Sequence, residues 1–374
     1  MRDDDTRQAD ALRQWRVKIF ASTWVAYAGY YFCRKSFFIV KGTLGEEAGF
    51  DAVRLGQIGT VFLAAYAIGQ FVSAAVGPRT GPRLLLLVGM AASVGANVAF
   101  GFANNNWTFM AFMAFNGLAQ ATGWPSTIGT LGHWTRRKER GTLLGFWSTC
   151  YQLGGVMANA WAALWLARQG WRGAFFAGSA VLVVAWVVVW LFQRNRPEDV
   201  GLPALEEPDQ DHRLGEPATT REGAPSVWTR SVVTSVLLIG AVYFGVKFVR
   251  YALWSWTPYF LQKNFGLAGD DAGYLATVFD IAGFLGVITA GVVSDRLFGG
   301  RRGKVAFIMV VGMTVGAGLL YLVGPLSVFW FATSLAFIGF MLYGPDALLT
   351  GAGAIDVGSR RAALTAAGII NGMG

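Results

Sequence analysis

The chain has little charge: only 14% of its 374 residues are Asp, Glu, Lys or Arg, whereas 54% are hydrophobic. A soluble protein would have about a quarter of its residues charged. Apolar runs recur along the sequence, each about the 20 residues that a helix needs to cross the hydrocarbon core. The runs are continuous and lack the alternation of a strand, which excludes a transmembrane barrel. The composition therefore predicts an all-α polytopic membrane protein.

Cysteine and histidine are also scarce, with two residues of each. Cys33 and Cys150 both lie in apolar runs, so a disulfide framework is not expected. His133 adjoins a basic loop, and His212 lies in a polar stretch without other metal-ligand residues nearby. No nucleotide-binding glycine loop or catalytic triad is recognisable. We therefore expect no metal, no cofactor and no enzymatic activity.

The apolar runs predict six spans, a polar linker, and four further spans. They fall at about 17–41, 54–77, 83–104, 107–132, 141–167, 171–193, 231–258, 272–294, 304–323 and 327–349, and another opens near 361. The predicted organisation is an N-terminal six-helix half (1–193), a cytoplasmic linker (194–227) and a C-terminal half (228–374). The second half would hold four helices and the start of a fifth, so the sequence is expected to be a truncated form or a fragment.

The loops between the spans alternate in charge. Basic residues concentrate in 135–140 and 294–304, whereas the intervening loops, such as 42–54 and 264–271, are neutral or acidic. Positive loops stay in the cytoplasm, which predicts that the N-terminus and the linker are cytoplasmic. The net charge of +9 thus reflects membrane orientation and does not indicate a nucleic-acid partner.

The two halves repeat each other. SAAVGPR near the end of span two matches AGVVSDR near the end of span eight, which places Arg79 and Arg296 217 residues apart. Arg34 in span one and Arg250 in span seven are 216 residues apart. Two pairs of arginines with nearly the same separation in the sequence indicate a duplicated six-helix unit. Parallel halves joined by a cytoplasmic linker are typical of the major facilitator fold.

Arg34 and Lys35 lie within the apolar stretch AGYYFCRKSFFIV, and Arg250 lies at the matching place. An intramembrane arginine costs a few kcal/mol even on the lenient insertion scale. Snorkelling to the headgroups is one explanation, and it stays open for Lys35, which points about 100° away from Arg34. For Arg34 and Arg250 the symmetry favours a shared cavity. Two facing guanidinium groups need an anion, and phosphate fits their planar donor forks.

Polar groups accompany these cations. Tyr27 and Tyr31 can share the helix face of Arg34, and Tyr66 and Gln70 form a similar pair in span two. Each tyrosine taken alone is as readily explained by helix packing. Lys247 precedes Arg250 by one turn.

Asp280 lies inside span eight. We expect Asp280 to pair with Lys247 or Arg250, because a lone buried carboxylate would take up a proton. A proton-coupling role for Asp280 is the alternative.

The stretches YAGYYFCRKSF, GWPSTIGTLGHWTRRKERG, WSTCYQLGGV and VRYALWSWTPYFL, with the loop SDRLFGGRRG, resemble the organophosphate:phosphate antiporters of the major facilitator superfamily. The resemblance covers nearly the whole chain. It implies that Arg34 and Arg250 bind the substrate's phosphate and that Asp280 is the family's span-eight acid, although the glycerol-phosphate carriers have glutamate there. Tyr27 and Tyr31 match the family's tyrosines before the first arginine.

The chain departs from the glycerol-phosphate carriers at several positions. Gln70 replaces a lysine, Tyr151 a histidine, and Lys247 a tyrosine. Pro78 replaces the usual aspartate of the first basic loop, whereas its counterpart Asp295 is kept. Glycerol 3-phosphate is therefore not carried over as the substrate. The candidate substrate-binding set is Arg34, Arg250, Tyr27, Tyr31, Lys35, Tyr66, Gln70, Trp124, Tyr151 and Lys247, and the candidate gating set is Arg79, Asp295 and Arg296.

The predicted function is exchange of an organophosphate for inorganic phosphate by alternating access. The predicted partners are a phosphate ester, inorganic phosphate and the lipid bilayer, and the predicted state is a monomer in the bacterial inner membrane. Two alternatives stay open. One is a sugar-phosphate sensor of the same fold that does not transport, and the other is a proton-coupled carrier of an organic anion.

Overall fold

The computed structural model describes residues 2–205, 228–267 and 269–374, and these contain no β-strand. Residues 206–227, most of the predicted linker, lie outside the described residues. The helices are α1 (Arg2–Ala48), α2 (Ala52–Thr80), α3 (Pro82–Phe102), α4 (Asn106–Gln120), α5 (Gly123–Trp134), α6 (Arg140–Trp147), α7 (Thr149–Phe192), α8 (Arg230–Phe265), α9 (Gly269–Arg296), α10 (Arg302–Leu322), α11 (Val328–Ala347) and α12 (Ala354–Met373). A π-helical segment, Leu348–Gly353, joins α11 to α12.

Seven helical segments of the described chain are long and apolar enough to cross a membrane. They are Val53–Thr80, Pro82–Phe102, Leu164–Phe192, Arg230–Leu253, Thr277–Arg296, Arg302–Leu326 and Val328–Val357. Hydrocarbon offers no hydrogen-bond partners, and a helix pairs its backbone N–H and C=O groups internally. The prediction of an all-α, multi-pass membrane protein is confirmed.

Glycine and proline mark where the helical path breaks. Within α7, Gln169 and Gly170 leave helical geometry, with Gly170 at φ +69°, which separates the predicted spans 141–167 and 171–193. Gly81, at φ +79°, ends α2, and Pro82 begins α3 directly after it. The positive φ favours glycine, and proline is well suited to the first helical position.

The chain groups into two compact units. The first comprises Met1–Arg136, Cys150–Val232 and Gly358–Gly372, and the second comprises Arg137–Thr149, Val233–Val357 and Met373–Gly374. The two longest segments grouped with the opposite half of the sequence are the loop and helix at 137–149, and most of α12, from Gly358 to Gly372. The sequence analysis divides the chain only at the linker, so it does not predict that these two segments belong to the opposite unit.

The first unit has an aromatic core. The ring of Phe100 lies 4.6 Å from that of Phe109 and 4.3 Å from that of Phe175. In the second unit, glycines let α9 approach α11. A Cβ on Gly286 would lie 2.0 Å from the carbonyl oxygen of Phe340, and one on Gly339 would lie 2.3 Å from that of Phe279. Such close backbone approach is typical of membrane helix pairs.

Candidate substrate-binding site

Arg34 in α1 lies among aromatic rings of the first unit. Its guanidinium carbon is 4.9 Å from the ring centroids of both Tyr31 and Tyr66, and 5.9 Å from that of Phe62. A cation over an aromatic face gains about 0.5–2 kcal/mol, more as water is excluded. The rings therefore offset part of the cost of holding a charge within the membrane, and they fix the plane of the guanidinium.

The side-chain amide of Gln120 in α4 gives Arg34 a polar anchor. Arg34 Nε donates to Gln120 Oε1 at 2.8 Å. Gln120 Nε2 in turn donates to Asn116 Oδ1 at 3.1 Å and Ser93 Oγ at 3.3 Å, and Ser93 Oγ donates to Asn116 Oδ1 at 2.6 Å. Asn116 also donates to the carbonyl oxygen of Cys33, one residue before the arginine, at 3.2 Å. These polar groups are buried, so the network orients Arg34 through its Nε.

The predicted tyrosines form a row in the first unit. Tyr27 lies edge-on to Tyr31 at 6.1 Å and to Trp124 at 5.4 Å, and Trp124 lies edge-on to Tyr151 at 6.4 Å. Lys35 adjoins α7, where a Cβ on Gly155 would lie 3.9 Å from Lys35 Cε.

Gln70 stands apart from the Arg34 contacts. It is fully buried, and neither atom of its amide has a hydrogen-bond partner in the described part of the chain. Its backbone carbonyl lies 2.9 Å from where a Cβ of Gly368 in α12 would be. A buried amide without partners costs free energy, so Gln70 is a position where a water or a polar ligand would be stabilising.

Arg250 in α8 has an acidic partner that the sequence analysis missed. Its Nη1 lies 3.0 Å from Asp346 Oδ2 of α11, and the Asp346 side chain is only 5% exposed. The Arg250 guanidinium carbon also lies 4.6 Å above the ring of Tyr343. The buried side chain of Tyr243 also interacts electrostatically with Asp346. Arg250 is thus held by a carboxylate and an aromatic ring.

The expected ion pair of Asp280 with Lys247 or Arg250 stays a prediction. Among the described residues, Asp280 accepts a hydrogen bond from the hydroxyl of Tyr343, while Arg250 pairs with Asp346. The ammonium group of Lys247 lies 5.2 Å and 5.4 Å from the ring centroids of Tyr243 and Tyr251. The described contacts of this group are thus the pair of Arg250 with Asp346 and the hydrogen bond from Tyr343 to Asp280.

The gating candidate Asp295, at the end of α9, caps α6. It accepts hydrogen bonds from the backbone N–H groups of Gly141, at 3.2 Å, and Thr142. Arg302 binds the same carboxylate. The positive end of a helix and a guanidinium both stabilise a carboxylate there.

Asp356 extends this charged cluster, which lies within the second unit. Arg302 Nε lies 3.4 Å from Asp356 Oδ2, and Arg140 also pairs with Asp356. The other two gating candidates, Arg79 and Arg296, are exposed. Arg302 and Asp356 escaped the sequence analysis, although Arg302 lies in the basic loop 294–304 that it identified.

Sequence signals existed for the missed binding-site residues. Asp346 is an acid inside an apolar run, which is a functional hypothesis by default. Gln120 lies four residues after Asn116, so both amides share one face of α4. Tyr343 and Tyr243 carry no signal that separates them from other membrane tyrosines.

The family is shown by comparison with known proteins. Residues 23–374 match the family described as Major Facilitator Superfamily. The chain belongs to this superfamily. The proton:xylose symporter XylE, solved with 6-bromo-6-deoxy-D-glucose, shares its fold at a TM-score of 0.71 and 12% identity, over 96% of this chain and 86% of that one.

Relatives of about 30% identity include two proteins named as transporters of phosphate esters and one named as a membrane sensor. A probable hexose phosphate transport protein of Chlamydia pneumoniae is 30% identical, over 95% of this chain and 81% of its own length. The membrane sensor protein UhpC of Escherichia coli is 31% identical, over 98% and 84%. A glycerol-3-phosphate transporter of Bacillus subtilis is 30% identical, over 98% and 84%. The predicted resemblance to this branch is confirmed.

Proposed function

We propose that the protein is a secondary transporter that exchanges an organophosphate for inorganic phosphate. The observation that carries the proposal is a pair of arginine-centred clusters, around Arg34 and Arg250, in a chain similar to hexose phosphate and glycerol-3-phosphate transporters. The substrate is a sugar phosphate or a glycerol phosphate.

The arginine clusters are suited to phosphate. A guanidinium presents parallel N–H donors that match two oxygens of a phosphate group, and a lysine offers only a point charge. In the first unit, Gln120 engages the Nε of Arg34. This hydrogen bond uses Nε, whereas the fork is formed by the two terminal nitrogens. Tyr27, Tyr31, Trp124 and Tyr151 supply the aromatic surface on which the organic part of the ester would pack.

We propose that one phosphate group binds Arg34 and Arg250 together, which the matching sequence positions of the two residues support. Without an anion, the two positive charges oppose closure of the site. Bound phosphate removes that repulsion and lowers the barrier to reorientation, so the binding free energy acts on the transition between states. An empty carrier then reorients slowly, and uptake of an ester is matched to export of phosphate.

The charged cluster around Asp295 and Arg302 acts as the cytoplasmic gate in this proposal. It holds residues 137–149, which include the start of predicted span five, against the end of α9. Reorientation would require these hydrogen bonds to open. In the same proposal the protein is a monomer in the bacterial inner membrane, its N-terminus and linker face the cytoplasm, and it has no enzymatic activity.

Counterflow tests the proposal. Proteoliposomes of the purified full-length protein are loaded with unlabelled phosphate, and entry of labelled phosphate is followed with and without external sugar and triose phosphates. Exchange that one ester inhibits is the expected result. Uptake driven by a pH gradient without internal phosphate would instead support a proton-coupled anion carrier, with Asp280 as the proton site.

A sensor is the second candidate, because the membrane sensor protein UhpC is 31% identical to this chain. The binding clusters would look the same in a sensor and a transporter. Phosphate-ester binding by folded protein in liposomes, without any counterflow, would favour the sensor.

A further inference from the structure

The two arginine clusters differ in charge. Away from their ends, the predicted spans of the first half carry Arg34 and Lys35 but no acidic residue, whereas those of the second half carry Lys247, Arg250, Asp280 and Asp346. The second cluster is therefore neutral by count, with two cations and two carboxylates. Since an intramembrane carboxylate is costly, its presence beside Arg250 calls for a role.

Asp346 occupies a side of Arg250 that an anion would use. Its Oδ2 lies 3.0 Å from Arg250 Nη1, one of the two terminal nitrogens that form the guanidinium fork. A carboxylate and a phosphate oxygen compete for such donors because both accept the same charge-assisted hydrogen bonds. Nη1 has two N–H groups, so the competition is also electrostatic: a phosphate bound at the fork would lie beside a carboxylate of the same sign.

The surroundings of Asp346 allow the ion pair to open. Tyr243 also interacts electrostatically with Asp346, so the carboxylate would keep a polar neighbour after losing Arg250. Asp346 follows Pro345 and precedes the π-helical segment Leu348–Gly353. Thr350 Oγ1 donates to the Asp346 carbonyl at 2.6 Å. Prolines and π-helical turns interrupt the regular hydrogen-bond ladder, and they are the places where a helix changes shape.

We propose that Asp346 is a specificity-determining residue that competes with the substrate for Arg250 and selects for doubly charged phosphate groups. This inference rests on the proposed function. A singly charged anion that displaces Asp346 exchanges one negative charge for another and gains little. A phosphate ester carries about −1.5 to −2 charges near neutral pH and has three acceptor oxygens, so it can displace the carboxylate with a net gain. Asp346 thereby excludes abundant monoanions, a form of selection against the wrong ligand.

Methyl phosphate and methyl sulfate separate charge from shape. Both are tetrahedral with three terminal oxygens, but methyl sulfate has one negative charge. Their dissociation constants are measured from thermal stabilisation of the purified full-length protein, because a ligand that binds only the folded state raises its stability with concentration. The compared quantity is the ratio of the constant for methyl sulfate to that for methyl phosphate.

In Asp346→Asn we expect this ratio to fall by about tenfold, mainly through tighter binding of methyl sulfate. Asp346→Glu, which keeps the competing charge, should retain a ratio near that of the wild type. Asp346→Ser is a second neutral variant, chosen because serine follows the proline in Pro125–Ser126 of the first half, and it should behave like Asp346→Asn.

Asp280→Asn is the matched control. It removes the same charge from the second unit at a carboxylate that accepts a hydrogen bond from the Tyr343 hydroxyl. We expect its ratio to change by less than about threefold. If Asp280→Asn changed the ratio as much as Asp346→Asn does, the net charge of the site and not competition for Arg250 would determine selectivity. That result overturns the proposal.

The remaining outcomes show which of the two proposals fails. A wild type that binds methyl phosphate, with an unchanged ratio in both neutral variants, overturns this inference but leaves the proposed function standing. A folded wild type that binds neither ester overturns both. If both neutral variants fail to fold while Asp346→Glu folds, Asp346 is a structural partner of Arg250 only, and the competition proposal is wrong.

Discussion

The hydrogen bond between Gln120 and Arg34 leads to a quantitative prediction. Gln120→Met keeps the side-chain length but removes the oxygen that lies 2.8 Å from Arg34 Nε. A hydrogen bond to a charged group contributes about 1.5–3 kcal/mol, which corresponds to about 10- to 150-fold in affinity. Arg34 is half-buried, and the rings of Tyr31 and Tyr66 also hold it. We therefore expect phosphate to bind about tenfold more weakly, at the lower end of this range.

Isothermal titration of phosphate into the detergent-solubilised protein measures this loss, and thermal unfolding reports on folding. Gln193→Met is the matched control. Gln193 is a fully buried glutamine of the same unit, but its amide donates to Thr130 Oγ1 at 2.7 Å. Its variant should lose comparable stability and keep its phosphate affinity. A folded Gln120→Met protein with wild-type affinity, or an equal loss in Gln193→Met, would refute the positioning role of Gln120.

Two further predictions concern the second unit. Arg302→Gln leaves the buried carboxylate of Asp295 without its guanidinium, which costs about 3 kcal/mol. The melting temperature should therefore fall by roughly 5 °C or more, whereas Arg301→Gln, at an exposed position, should leave it unchanged. Equal melting temperatures would show that the ion cluster does not stabilise the protein. Gly283→Ala places a Cβ 2.0 Å from the Tyr343 ring and should weaken phosphate binding by roughly threefold to tenfold, while Gly245→Ala, with nothing within 4 Å, should not. Wild-type phosphate affinity in Gly283→Ala would contradict the role of Tyr343 beside Arg250.

The sequence predicted the parts of the site that repeat between the halves. Arg34 and Arg250 occupy matching positions in the two halves, and each lies in a cluster of aromatic and polar groups. Asp346 follows Pro345, whereas the residue after Pro125 in the first half is Ser126. A feature that only one half has cannot be found by comparing the halves, and so Asp346 was overlooked.

Pairing within the site could not be predicted, because spacing along a helix does not determine which helices meet. Asp280 and Arg250 are brought near the same ring, that of Tyr343, by the approach of α9 to α11. That approach depends on glycines at both helix surfaces. Glycine is so abundant in the sequence that these particular glycines could not be distinguished from the others. The exchange of residues 137–149 into the second unit has the same origin, since the Asp295 contacts to Gly141 and Thr142 join segments distant in the sequence.

The central claim is that Arg34 and Arg250 bind one phosphate group. It is tested most directly by the phosphate affinities of Arg34→Lys, Arg250→Lys and the double variant, measured by titration of folded protein. If both arginines hold the same ligand, each single change should weaken binding by about tenfold or more, and the double change by clearly less than the product of the two. The claim would be contradicted if the loss of affinity in the double variant equalled the product of the two single losses. Near-normal affinity in either single variant would also contradict it.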